Sequence, residues 1–394
     1  MKYRIRVVLG SVFPLENTII HGGVEAVAYY LAQGLMKRED IELHIVSCSS
    51  SITNDFIEHR DNFVIHWIKV ANNFHNLRVN SINTWKVREV YWKIRPEIIH
   101  AQGFTEYAMA AEPGQILLLA IHGIEAISQQ MKSTYHFQGL KGVYRRWTGN
   151  LIMSKSIKKA RGIISNAGDY TLAFPKLIQQ KKIFYIANPV APEFYKTTRE
   201  YKEEKSITNL LWVGIISERK NVISLINNYS KIFSQYPNTR LVLVGHIGEN
   251  WYYQNIKQVI RELGLENHVQ ITGSVDNENL LKYYAEADIF VFPSIEESAP
   301  MAIAQAMATG LPVIASRVGG IPWMLDGGKA GILVSPNDPD EWTAGLSELI
   351  DSREKQKKIG VLSRKRADSL FASDIVVRQT VEAYQKLLDG KDYE

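Results

Sequence analysis

Pro293-Ser294-Ile295-Glu296-Glu297-Ser298-Ala299-Pro300-Met301-Ala302-Ile303-Ala304-Gln305-Ala306-Met307-Ala308-Thr309-Gly310 follows the strand-like run Asp288-Ile289-Phe290-Val291-Phe292. The order is strand, polar turn, then a short apolar helix that stops at Gly310. Glu297 therefore falls in a turn just outside a helix N-terminus. The free N–H groups and the dipole of that terminus favour an anion. A carboxylate beside an anion site suits a phosphate-bearing ligand with a hydroxylated part. Gln305 lies eight residues after Glu297. Its apolar neighbours argue that it is buried and must find partners.

The same strand-then-helix order repeats along the chain. Candidate strands cover 5–9, 41–47, 63–70, 98–101, 116–121, 162–165 and 183–187. A second set covers 210–216, 240–244, 269–272, 288–292, 312–315 and 331–334. Many are continuous apolar runs, as expected of parallel strands buried on both faces. Alternation with helices predicts an α/β protein of two doubly wound, Rossmann-like domains. The expected division is 1–190 for the first domain, 191–208 for a linker, and 209–372 for the second. In such sheets ligands bind beyond the carboxyl ends of the strands, so two domains facing each other would enclose a cleft.

The chain has 394 residues, 45% apolar and 22% charged, with a net charge of +5. That is ordinary globular composition with a mild preference for acidic ligands or anionic surfaces. Cys48 is the single cysteine, which excludes an internal disulfide and a thiol-based zinc cluster. A reducing cytosol is the natural compartment. No apolar run approaches the length of a membrane span. Contact with an anionic membrane would be peripheral, through the basic, partly apolar stretch 140–161. A partly buried helix with a charged outer face is the plainer reading of that stretch.

Other candidates sit at strand ends. His21-Gly22-Gly23-Val24-Glu25 opens a helix after the first strand, and paired glycines let a ligand approach the backbone. The alternative is a turn that needs positive φ. Gly214 ends a strand in the second half, followed by Arg219 and Lys220, where Lys220 could clamp a diphosphate. His100 and His122 each close a strand and could face a ligand, or be ordinary hydrogen-bonded histidines. Without a carboxylate or cysteine at ligand spacing they make a poor metal site. Gly319-Gly320-Ile321-Pro322 is a further strand-end turn.

Together these pieces resemble the family 4 retaining glycosyltransferases of GT-B architecture. The pattern Pro-Ser-x-x-Glu followed by Glu-Ala-Met-Ala-x-Gly is met by Pro293, Ser294, Glu297 and Gln305-Ala306-Met307-Ala308-Thr309-Gly310. Gly22-Gly23-Val24-Glu25, Ile99-His100-Ala101, His122-Gly123, Asn188-Pro189-Val190, Lys220-Asn221 and Val244-Gly245 support it in order. The resemblance implies a nucleoside diphosphate sugar as co-substrate, a UDP-sugar favoured over a GDP-sugar. It implies a hydroxyl acceptor, lipid-linked or saccharide, in cell-envelope polysaccharide or glycolipid assembly. No cofactor, no metal and no nucleic acid are implied. Lys220, Arg219 and the amides around Ser298, Ala299, Met301, Ala302 and Ile303 would hold the diphosphate. Glu297 would take donor-sugar hydroxyls, Gln305 the ribose, and Gly245 and Val275 the base pocket, with Gly214 also on the donor side. Gly22 and Gly23 would lie near the phosphates and His122 near the reacting carbon, so His122, Glu297 and Lys220 are the candidate catalytic residues. His100 and Glu25 fall on the acceptor side. A final helix, about 373–390, would cross back to the first domain. Replacing Glu297 or Lys220 by alanine is expected to abolish transfer and barely change thermal unfolding.

Three positions depart from the family pattern. Gln305 stands where a glutamate is usual, Ile215 where an arginine is usual, and Trp323 where a glutamate is usual. They leave open an alternative in another class: a non-catalytic sugar-nucleotide-binding or scaffolding subunit.

Overall fold

The computed structural model describes residues 4–15, 22–60, 62–71, 82–122, 139–168, 178, 180–197, 199 and 206–390, with side chains from 147 onward in the helix that begins at 139. His21, Gly123, most of the charged run 199–205 and the first side chains of 140–161 lie outside the described residues.

The chain divides into two compact units, Met1–Pro189 with Ser373–Glu394, and Val190–Ala372. The first is built on eight strands: β1 Ile5–Gly10, β2 Ile41–Ser49, β3 Phe56–Arg60, β4 Phe63–Lys69, β5 Ile98–Gln102, β6 Ile116–Ile121, β7 Gly162–Ser165 and β8 Lys182–Tyr185. Their order is β3-β4-β2-β1-β5-β6-β7-β8. All pairs are parallel except β3 with β4. Val7 and Leu9 pack on one face and Val8 on the other, so β1 is apolar apart from Arg6 near its start, because both faces are covered.

One face is covered by the helices Gly23–Leu35 and Ser373–Asp389. Leu31 and Leu35 of the first share a cluster with Val377, Val381 and Tyr384 of the second. The two helices cross closely: a Cβ at Gly34 would stand 2.2 Å from Cγ2 of Val377.

The second unit carries β9 Thr208–Val213, β10 Thr239–Val244, β11 Val269–Gly273, β12 Ile289–Phe292, β13 Val313–Ser316 and β14 Ile332–Val334. The order β11-β10-β9-β12-β13-β14 is wholly parallel. It reverses between β9 and β12, which is the topological switch point where such sheets bind ligands.

The stretch suggested as a linker is anchored to this unit. Phe194, in the short helix Pro192–Tyr195, is buried edge-on against Tyr284. Arg199 donates to the carbonyls of Tyr284 and Ala287 and, at 3.4 Å, of Thr309. Ala287 and Thr309 are the C-caps of the helices Asn277–Glu286 and Met301–Ala308, so one guanidinium serves two negative helix ends.

Every strand expected from the sequence is present, with ends moved by at most three residues. The added strand is β3, whose exposed Phe56 and Ile57 give no buried alternation to read.

Candidate active site

Lys220 and Glu297 meet at the switch point of the second unit. After β9 the chain runs through a single 3-10 turn, Glu218–Lys220, into the helix Val222–Gln235. The junction is Asn221, in the left-handed region at φ 56° and ψ 34°, which asparagine tolerates. Its side chain donates to the Pro293 carbonyl at 3.2 Å, tying this turn to the one after β12. The Lys220 ammonium is thereby set on Oε1 of Glu297, and it lies 5.0 Å above the Phe292 ring. Arg219 reaches the same oxygen at 3.2 Å and the Glu296 carbonyl at 2.7 Å.

Burial separates the two cations. The Lys220 side chain is 12% exposed, Arg219 44%, and Glu297 7%. Burial pushes the Lys220 amine below its ordinary value while Glu297 pulls it back up. Burial also raises the neighbouring Glu296 carboxyl, with Arg219 opposing and Glu297 adding to the rise. The Lys220–Glu297 pair is structural as well as chemical, because removing either partner strands a buried charge. The expectation that alanine at Lys220 or Glu297 spares thermal stability does not agree with this geometry.

The helix Met301–Ala308 begins at Pro300, which supplies no side-chain cap. The first amides of a helix have no partner within it, so those of Met301 and Ala302 suit an anion. Ile303 does not belong with them. Its side chain is fully buried and its N–H donates to the Pro300 carbonyl at 3.1 Å. Gln305 is buried, as its apolar setting implied, and its Oε1 accepts from the Tyr284 hydroxyl at 3.1 Å. The turn at Gly319–Gly320 serves this site: the Gly320 N–H donates to the Glu297 carbonyl at 3.3 Å.

Gly245 is required by packing. A Cβ there would fall 1.8 Å from the Gly214 carbonyl oxygen, at a φ of 144°. Val275 sits in the turn before the helix Asn277–Glu286, half-buried. Ile215, in the place of the family's arginine, is exposed at the end of β9. Trp323 lies under the Arg366 guanidinium, 5.8 Å from the ring.

In the first unit, Gly22 caps the helix Gly23–Leu35 with extended backbone at φ −163°. Neither Gly22 nor Gly23 takes positive φ, so a turn requirement does not explain the pair. A Cβ at Gly22 would meet none of the described residues within 4 Å. Glu25 sits in the first turn of that helix.

His122 follows β6 and is bonded at both ring nitrogens: Nε2 to Oε1 of Gln102, and Nδ1 to the Asn166 amide at 3.1 Å. His100 is only 1% exposed and bonds Tyr384 and Gln102, so it does not itself reach an acceptor. Burial holds both imidazoles neutral, with pKa lowered to about 4 for His122 and about 3 for His100. Gln102, Asn166 and Tyr384 carry no motif. The available signal is two polar residues, His100 and Gln102, spaced two apart in a fully buried strand.

Comparison with known proteins bears on both units. Residues 21–194 match the model of Glycosyltransferase Family 4, and residues 196–366 match that of Glycosyl transferases group 1. The chain belongs to the family 4 glycosyltransferases and has their GT-B fold. It is 35% identical over 133 residues to MMP alpha-(1->4)-mannosyltransferase of Mycolicibacterium hassiacum, covering 34% of this chain and 32% of that one. The match spans between about a third and a half of the length of the curated relatives. Sucrose-phosphate synthase from Thermosynechococcus elongatus has a similar fold, with a TM-score of 0.83 at 18% identity over 98% of this chain and all of that one. Anabaena HepE in complex with UDP and glucose gives 0.75 at 18% identity, over 97% and 100%.

Proposed function

We propose that this glycosyltransferase moves a sugar from a nucleoside diphosphate sugar, UDP-linked in preference to GDP-linked, to a hydroxyl acceptor with retention of configuration. The observation that carries the reading is the Glu297 carboxylate held between Lys220 and Arg219 beside an uncapped helix start. HepE, a neighbour in fold, is complexed with UDP and glucose, which supports the choice of base. The acceptor oxygen bonds to the anomeric carbon on the face the diphosphate leaves. The bond from that carbon to the diphosphate oxygen breaks, and the acceptor proton passes to the departing phosphate. Lys220, Arg219 and the Met301 and Ala302 amides take up the charge that develops there, in place of a metal. Glu297 fixes the sugar hydroxyls and Gln305 the ribose. Gly22, Gly23 and His122 keep the roles the family resemblance gives them.

The acceptor is a growing envelope saccharide or glycolipid at the cytoplasmic face of a membrane. Trp147 and Leu151 are exposed at 61% and 37%, and Lys155 and Lys158 are exposed further along the same helix. At this spacing the four form one stripe suited to anionic lipid. Lys159 is not part of it, since its ammonium bonds the carbonyls of Met109 and Ala111. Among the described residues no helix is long and apolar enough to cross a membrane.

Calorimetry with UDP, GDP and ADP, each with EDTA, tests the donor site. Selective binding of UDP is expected. Binding of none of the three, or only when a divalent metal replaces EDTA, would overturn the reading. The neutral Gln305 favours a rival, a subunit that binds sugar nucleotide without turnover. Sugar transfer that is lost in Glu297→Gln would exclude it.

A further inference from the structure

A line of buried polar side chains runs through the first unit from its last helix to His122. The Asn166 amide nitrogen donates to Nδ1 of His122 and to Oδ1 of Asn188, each at 3.1 Å. Nε2 of His122 faces Oε1 of Gln102. The Gln102 nitrogen faces Nε2 of His100 at 3.2 Å, and Nδ1 of His100 lies 2.8 Å from the Tyr384 hydroxyl. Gln102 and His100 are 3% and 1% exposed, and Tyr384 is fully buried.

With the Asn166, Asn188 and Gln102 amides oriented as they are, the donors and acceptors run in one direction; turning all three would reverse it, with Tyr384 donating to His100. The two hydrogens of the Asn166 amide are spent on His122 and Asn188, so Nδ1 of His122 accepts. A neutral imidazole has one N–H, which then sits on Nε2 and donates to Gln102. The Gln102 amide, its oxygen engaged, donates to Nε2 of His100. The His100 proton is left on Nδ1 and donates to the Tyr384 oxygen.

We propose that Gln102, Asn166 and Tyr384 are positioning residues that hold His122 as the neutral Nε2–H tautomer, with Tyr384 setting it from the last helix through His100 and Gln102. The dependence on Tyr384 follows from the cost of an unsatisfied buried donor. Without the hydroxyl, the His100 Nδ1–H has no acceptor. Moving that proton to Nε2 opposes the Gln102 amide. Turning the amide then sets its nitrogen against the His122 N–H. Every relief at one end carries the conflict to the other.

Ring nitrogen NMR of the full chain reads this directly, with His122 assigned by its loss in His122→Phe. In the wild type His122 shows the neutral Nε2–H pattern at neutral pH and keeps it on mild acidification. Tyr384→Phe keeps the aromatic ring, which stands edge-on to His100 at 5.8 Å. It is expected to turn the His122 signal into a mixture of tautomers while the backbone spectrum stays folded. Gln102→Glu replaces the donating nitrogen with an accepting oxygen. His100 then changes to Nε2–H while His122 keeps its tautomer and titrates at higher pH. A wild-type His122 that is Nδ1–H, or one unmoved by Tyr384→Phe, would overturn the proposal. What the positioning serves rests on the reading that His122 acts in transfer. Undiminished transfer in His122→Ala would remove that role and leave the tautomer result standing.

Discussion

Lys220 and Glu297, from the turns after β9 and β12, are bonded to each other while buried at the point where the strand order reverses. The groups proposed to hold a diphosphate and a sugar are thus already paired in the protein. Lys220→Ala is expected to end transfer and to destabilise the second unit by about 3 kcal/mol, because Glu297 keeps only the exposed Arg219. Glu297→Gln, which stays polar without charge, should end transfer at a smaller cost in stability. Joint replacement by Met and Leu should cost less than the sum of the two single changes. Thermal unfolding beside a transfer assay decides, and additive stability losses would show that the pair is not coupled.

Gln305→Ala should weaken UDP binding by roughly tenfold, the value of about one hydrogen bond. Tyr284→Phe removes the hydroxyl that holds the Gln305 oxygen and should weaken UDP by a smaller factor. Titration calorimetry on both variants tests the order. Unchanged affinity in Gln305→Ala would take this residue out of the nucleotide site.

Gly245→Ala sets a methyl group against the Gly214 carbonyl at a φ that side chains rarely adopt. A loss of about 3 kcal/mol or more is expected from clash and strain together. Denaturant unfolding would show it, and a wild-type midpoint would mean that the β9 and β10 ends can separate without cost.

Acid should destabilise the first unit. Burial lowers His100 to about 3, and His66 and His122 to about 4, from 6.5. With folded pKa values below the unfolded one, the unfolded chain binds protons first as pH falls. The stability tied to these groups is complete above about pH 6.5 and declines as pH drops toward their folded values. The unfolding temperature should therefore fall between about pH 6.5 and about pH 4. His66→Gln should flatten the profile, and a wild-type curve level over that range would contradict the burial argument.

Trp147→Ala with Lys155→Glu and Lys158→Glu should abolish co-sedimentation with vesicles containing anionic lipid, while UDP affinity stays the same. Retained sedimentation would assign membrane contact to another surface, or to none.

Most of the fold was legible because parallel strands buried on both faces must be apolar, and β6 and β12 are. β3 escaped because a half-exposed strand at the sheet edge makes no such demand on Phe56 and Ile57. Lys220 and Glu297 were legible as types at strand ends, but their mutual bond depends on Asn221 and Pro293 joining two turns. Arg199 falls in the stretch expected to be a linker, whereas its partners are carbonyls at two helix ends. Carbonyl partners leave no mark on a sequence. The same holds for Tyr384, which reads as one aromatic residue on an amphipathic helix until His100 is found beside it.

The helix Ser373–Asp389 completes the first unit, yet a ribosome makes it after the whole of the second. At roughly 5–20 residues per second, the nascent first unit waits on the order of ten seconds with the seam at Leu31, Gly34 and Leu35 uncovered. Through that interval the second unit can mature beside it. His122 acquires its tautomer only at the end, when Tyr384 arrives, so the chain becomes competent last in the part that was made first.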